Sequence, residues 1–191
     1  MAQDIVFLKG RNVLLRPLEE SDYTDEYLRW LNDPEVNAHS QRRPFPQSRA
    51  AMPAYQQGLE ASRSGYVLAI VERATGEHVG NVALVNLQPV HRCGEIAILV
   101  GADRARGRGI GREAVYLVTR HAFDWHNLHK VFAGTFNPAF VRCVEGLGWQ
   151  KEGVFRERIW ADGRYHDQVW LGLLRGEFRP LPQFEEAPCV A

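Results

Sequence analysis

The run Arg106-Gly107-Arg108-Gly109-Ile110-Gly111-Arg112-Glu113-Ala114 stands between an apolar stretch and a helical pattern. Glycines at alternate positions remove the Cβ atoms that would hold a ligand off the backbone, and a helix opening beside them aims its free N–H groups at the same place. A helix start carries roughly half a positive charge, worth about 0.3–1 kcal/mol to an anion, and Arg106, Arg108 and Arg112 add formal charge. The pattern predicts a cradle for phosphate oxygens. Its spacing excludes two common cradles. A Walker-type loop needs Lys and then Ser or Thr after the last glycine, where this chain has Arg112 and Glu113. A dinucleotide fingerprint reads G-x-G-x-x-G, with an acid closing a second strand about 20 residues on. Here the glycines read G-x-G-x-G, and Asp124 falls inside a helical pattern. A loop that only turns the chain is the plain alternative.

The elements around the run decide what it can hold. Asn12 to Leu18 reads as a strand. Ser21 is an N-cap for a helix carrying Tyr23, Tyr27, Trp30 and Leu31, stopped by Asn32-Asp33-Pro34. A second helix is expected from about Ser48 to Ser62, then strands at Tyr66–Glu72, His78–Asn86 and Glu95–Val100. The helix after the glycines places Ile110, Ala114, Leu117, Val118, His121 and Trp125 on one face, which it buries against a sheet. Lys130 to Phe136 is a strand. Asn137 then caps a short helix begun by Pro138 and stopped by Gly148. Trp149–Trp160 and Gln168–Leu174 flank Asp162-Gly163, a hairpin signal. The order is that of an α/β mixed sheet in one domain, residues 1–178, followed by a flexible tail, 179–191, broken by Pro180, Pro182 and Pro188.

Lys plus Arg equals Asp plus Glu at 23 each, so overall charge points to neither nucleic acid nor an acidic membrane as partner. Cys93, Cys143 and Cys189 lie far apart without a CxxC pair. This suits a reducing compartment, the cytoplasm by default, and speaks against a disulfide framework or a zinc site. No stretch approaches the roughly 18 apolar residues of a membrane span. His126 and His129 lack a carboxylate or Cys partner nearby and read as surface or capping residues, so no metal is expected.

A strand, an Arg-x-x-Gly-x-Gly turn opening a helix, another strand, then an Asn heading a short helix that ends in Gly and an aromatic: this order resembles the GNAT superfamily of acetyl-coenzyme A dependent N-acetyltransferases. The segments Trp30-Leu31-Asn32-Asp33-Pro34-Glu35-Val36, Leu128-His129-Lys130-Val131, Glu152-Gly153 and Asp162-Gly163-Arg164-Tyr165-His166-Asp167 resemble its branch of ribosomal-protein N-terminal, spermidine and nucleotide-amino-sugar acetyltransferases. The resemblance implies a mixed, mostly antiparallel sheet of about seven strands, splayed at the acetyl-CoA site, with about four helices. It implies that Arg106, Gly107, Arg108, Gly109, Ile110, Gly111 and Arg112 hold the coenzyme A pyrophosphate through backbone N–H groups. Ile98, Leu99 and Val100 would then pair with the pantetheine arm, and Asn137 would face it. Dimers are common in the family, so a homodimer is possible.

The chemistry sets its own demand. An alkyl amine with a pKa near 10 is about 0.1% neutral at pH 7, so drawing on the neutral form costs roughly 4 kcal/mol. Glu95, at the start of the strand that would splay, reads as the general base or as a solvated strand-end carboxylate. Relatives place a Tyr acid where this chain has Val144. Here the thiolate leaves unaided, or Tyr165 or Tyr116 serves it. Cys143 reads as a packed helix residue rather than a nucleophile.

A polyamine pocket needs facing carboxylates, yet residues 37–49 hold none and carry His39, Arg42, Arg43 and Arg49. Such a loop suits a phosphate or carboxylate on the acceptor or the 3′-phosphate of coenzyme A, or it is simply solvated. The acceptor is therefore a protein N-terminus or an amino sugar, ranked equally, with Arg42, Arg43 and Tyr165 on its side and a polyamine third. A non-catalytic acetyl-CoA sensor is the reading from another class.

Overall fold

The computed structural model describes residues 5–185. Strands β1 (Leu8–Lys9), β2 (Val13–Pro17), β3 (Tyr66–Glu72), β4 (Glu77–Gln88), β5 (Cys93–Val100), β6 (Lys130–Thr135), β7 (Gln150–Ala161) and β8 (Arg164–Leu174) form one sheet in the order β1-β2-β3-β4-β5-β6-β8-β7. Eight strands replace the seven expected, because the two residues of β1 pair with β2 at the edge. Every neighbouring pair is antiparallel except β5 and β6, which the helix crossover between them makes parallel.

The helices are α1 (Asp25–Asn32), α2 (Ala51–Ser62), α3 (Ile110–Asp124) and α4 (Pro138–Glu145). Helix α3 lies across β2, β4 and β5. Its Glu113, 1% exposed, accepts the Asn12 and Val13 backbone N–H groups at 2.7 and 3.3 Å and the Asn12 side-chain amide at 2.8 Å. A buried carboxylate so satisfied fastens the first turn of α3 to the start of β2. Helix α1 covers the opposite face, where Tyr27 and Trp30 stand edge-on to His78 of β4, each with ring centroids 5.5 Å apart.

Local differences from the sequence reading have local causes. Ser21 is not the cap of α1. It lies in a 3-10 turn, Glu20–Asp22, and Thr24 takes the role by accepting the Tyr27 N–H at 3.1 Å. Asp22 is held elsewhere, in a two-pronged pair with Arg16 at 2.6 and 2.8 Å. Burial raises its carboxyl, but Arg16, the Glu19 N–H and His78 outweigh that and leave it below the usual carboxylate range. Helix α4 stops at Gly146, and Gly148, at φ 89°, turns the chain into β7. Trp125 follows the last turn of α3 and is 81% exposed instead of buried.

Of the expected tail, Pro180 and Pro182 belong to a packed stretch. The Tyr116 ring of α3 lies 5.6 Å from Phe178 and 5.4 Å from Phe184, and its hydroxyl accepts the Leu181 N–H and donates to Glu185. Glu185 also bridges Gly10. Pro188 and Cys189 lie outside the described residues.

Candidate functional site

The parallel pair β5–β6 is short. It runs through Cys93↔Lys130, Gly94↔Val131 and Glu95↔Phe132 and then ends, although β5 continues to Val100 and β6 to Thr135. Beyond Glu95 the two strands part. β5 keeps its other edge paired with β4, Ile96↔Leu84 through Val100↔Gly80, while β6 pairs with β8. One edge of Ile96–Val100 therefore opens on the gap with its backbone groups unclaimed by a neighbouring strand. The five steps from Glu95 to Val100 rise about 17 Å, a length an extended pantetheine arm can span.

At the far end of the gap lies the glycine run. Gly107 and Gly109 have φ of 71° and 82°, and a Cβ at either would meet nothing within 4 Å. These glycines serve backbone conformation, and the space beside them is open. Gly109 is the residue before α3 and makes no side-chain cap, so the helix's leading N–H groups face that space. Gly111 is different: its Cβ would stand 3.2 Å from Val100 and 3.4 Å from Ile98, so close packing of α3 on β5 requires it. Where β5 becomes this loop, Gly101 lies against Trp30, and a Cβ there would overlap the indole ring.

The three arginines of the run turn away from the open space. Arg106 donates to the Val100 carbonyl at 3.1 Å and the Gly101 carbonyl at 3.3 Å and pairs with Asp103. Arg108 pairs at 2.7 Å with Glu72 of β3, and Arg112 bonds the Gly146 carbonyl at the end of α4. They brace the loop, and the groups offered to an anion are the main-chain amides.

Asn137 opens α4 on the other bank. Its side-chain oxygen accepts the Ala139 and Phe140 N–H groups, at 2.9 and 3.4 Å, which leaves its NH2 as the polar group for the gap. Glu95 is half-buried at the apex where the strands part, and its Oε2 accepts a 2.6 Å hydrogen bond from Asn86. Val144 is fully buried, so that position of α4 serves the core. Burial pushes the Cys143 thiol up despite the nearby Arg112, which keeps it a thiol at neutral pH. Of the two tyrosines weighed as acids, Tyr116 is engaged with residues 181 and 185. Tyr165 stands exposed near the β7–β8 turn, 4.8 Å from the Trp160 ring. Among the described residues no three His, Cys, Asp or Glu gather as metal ligands.

Residues 12–150 match the model of the acetyltransferase (GNAT) domain. The chain belongs to the GNAT acetyltransferases. A spermidine N(1)-acetyltransferase of Vibrio cholerae is 28% identical over 111 residues, 57% of this chain and 64% of that one. The chain thus spans just under two thirds of that relative's length. The spermidine N(1)-acetyltransferase of Escherichia coli K12 is 25% identical over 176 residues, 88% and 89% of the two chains. The crystal structure of the Vibrio cholerae spermidine N-acetyltransferase with CoA and spermine superposes with a TM-score of 0.78 at 23% identity, covering 87% of this chain and 97% of that one, a likeness of fold. A GNAT acetyltransferase uses acetyl-CoA, and the open glycine loop ahead of α3 fits its pyrophosphate. No helix among the described residues is long and apolar enough to cross a membrane.

The opening of this GNAT domain has a second side. Glu95, Ala97 and Leu99 alternate onto the face that bears α1, and Ala97 is exposed there, between the buried Ile96 and the half-buried Ile98. The loop between α1 and α2 reaches the residue after β6 and the β7–β8 turn. His39 lies 5.1 Å from Phe136, which lies 5.6 Å from His166 of β8, and Arg43 reaches Asp162 at the β7–β8 turn at 2.8 Å. The basic residues are engaged: Arg42 stacks over Tyr55 at 4.1 Å, and Arg49 pairs with Asp25. Sequence reading missed Ala97, Phe136, His166 and Asn86. Asn86 left one signal, a polar residue interrupting the apolar run Val82 to Leu87.

Proposed function

We propose that this GNAT enzyme acetylates a single primary amine, a protein N-terminus or an amino sugar, by direct attack on acetyl-CoA within a ternary complex. The carrying observation is the supply of carboxylates on the strands flanking the opening. Glu95 is the one acid on β5 and β6, the two strands that part, and it bonds the Asn86 amide rather than a cation; on the neighbouring hairpin Asp162 is paired with Arg43 and Glu152 with Lys130 at 2.6 Å. One such carboxylate suits one ammonium group, whereas a polyamine presents two or more and needs a partner for each.

In this reading the N–H groups of residues 107–112 hold the pyrophosphate, and the free edge of Ile98–Val100 pairs with the pantetheine amides. The thioester then lies near Glu95. The acceptor enters over Ala97, on the side of the α1–α2 loop, and Glu95 takes its proton directly or through water as nitrogen attacks the carbonyl. The sulfur leaves unaided as thiolate, since Val144 offers no acid, and takes its proton from water afterwards, the free thiol having a pKa near 8.5.

A second reading rests on the relatives: two spermidine acetyltransferases align with this chain, which favours a polyamine. Thiol release from acetyl-CoA separates the two. Peptides with free N-termini and a nucleotide-linked amino sugar should exceed spermidine at least tenfold in kcat/KM. The reverse order would replace this acceptor, and tight coenzyme A binding with no release from any amine would make the protein a sensor.

A further inference from the structure

The β4–β5 ladder carries a defect beside Glu95. Pairing is regular from Gly80↔Val100 to Val85↔Glu95 and resumes at Gln88↔Cys93. Two residues of β4, Asn86 and Leu87, thus oppose Gly94 alone, which defines a β-bulge. Its first residue, Asn86, has φ of 50°, in the left-handed region that Asn tolerates and most side chains avoid.

Packing holds the bulge in place. The Leu87 N–H donates to the Ser64 carbonyl at 3.0 Å. A Cβ on Gly94 would stand 3.0 Å from Leu84, 3.1 Å from Leu87 and 3.2 Å from Leu128, so the opposing strand is pressed against three leucines. The consequence is directional. In an unbroken strand residue 86 would point to the face opposite Val85 and Glu95. The left-handed turn brings its amide back to Glu95, where Nδ2 donates to Oε2 at 2.6 Å. Asn86 is the one residue among those described that hydrogen-bonds the Glu95 side chain.

We infer that Asn86 is a positioning residue for proton transfer: the bulge aims its amide at one oxygen of Glu95 and leaves the other to receive the proton of the attacking amine. This rests on the reading of Glu95 as the base. The amide N–H restrains the carboxylate's rotation, and a group restrained in this way needs less rearrangement on reaching the transition state. No covalent step is added; the proton passes from ammonium or amine nitrogen to a Glu95 oxygen.

The bulge supplies its own control. Asn86→Gly keeps the left-handed backbone at no steric cost and deletes the amide; Asn86→Asp keeps the shape and replaces the donor by a second carboxylate. Turnover is measured with the panel amine of highest rate and on amine-free acetyl-CoA hydrolysis. The expected result is a kcat about tenfold lower for Asn86→Gly, a larger loss for Asn86→Asp, and an unchanged KM for acetyl-CoA. In a Glu95→Gln background Asn86→Gly should cost nothing further, because the group it positions is gone. If Asn86→Gly leaves kcat intact while Glu95→Gln lowers it, the positioning role falls and the base stands. The same tenfold loss in the Glu95→Gln background assigns Asn86 to the fold alone. A Glu95→Gln enzyme with full turnover removes the base and this inference together.

Discussion

The glycine-lined half of the opening and its loop-and-hairpin half meet the same gap with different materials. At the first, main-chain amides face the space, and Arg106, Arg108 and Arg112 hold the loop from behind. At the second, side chains make the surface: His39, Phe136 and His166 meet in tilted ring contacts, and an ion pair between exposed groups joins loop to hairpin. Backbone geometry needs glycine and survives few substitutions. A surface of rings and ion pairs can be rebuilt without touching the frame. The contrast fits an enzyme class in which one donor is common and acceptors vary.

Three substitutions bear on that contrast. The largest effect should come from Gly109→Val. A β-branched residue at φ 82° costs at least 1–2 kcal/mol in place and pulls the amides out of line, so calorimetry should find coenzyme A affinity reduced tenfold or more. Full affinity would mean that the amides are not the anion site.

A moderate effect concerns stability at the far end of α3. His121 is held by burial, and secondarily by His126, at a pKa of about 4 against an ordinary 6.5. The unfolded chain binds more protons between those values, so this contribution is complete above pH 6.5 and is lost as pH falls toward 4. Melting temperature should drop over that window, and His121→Leu should flatten the slope; an identical slope would assign the acid sensitivity to other groups.

The smallest effect should be that of Arg43→Ala. An exposed pair is worth about 0–1 kcal/mol, so the acceptor KM should rise by roughly two- to fivefold with the acetyl-CoA KM unmoved. A larger shift in the acetyl-CoA KM would place the α1–α2 loop on the donor side and erase the division.

The two halves also differed in how far the sequence could show them. The element order, the strand ending at Val100, the cap at Asn137 and the turn at Asp162-Gly163 were legible, because glycine, proline and capping chemistry act within a few residues. The basic loop was not. Arg43 finds Asp162 at 119 positions' distance and Arg49 finds Asp25 at 24, so charges that looked available for a ligand are neutralised by partners only the fold brings near. The arginines of the glycine run failed in the same way, since Arg108 is claimed by Glu72 of a distant strand. Ser21 lost its role to Thr24 by competition: both can cap, and the Arg16–Asp22 pair fixes which turn comes first. Asn86 was visible as a break in an apolar run, but its direction depended on a bulge that only strand pairing defines.

The contact between Gly101 and Trp30 reaches beyond packing. A fluorophore rests on the backbone at the point where strand gives way to anion loop, and an indole's emission follows the polarity and freedom of what touches it. With the chain's other four tryptophans replaced by phenylalanine, Trp30 would be an intrinsic optical gauge at the start of the glycine loop.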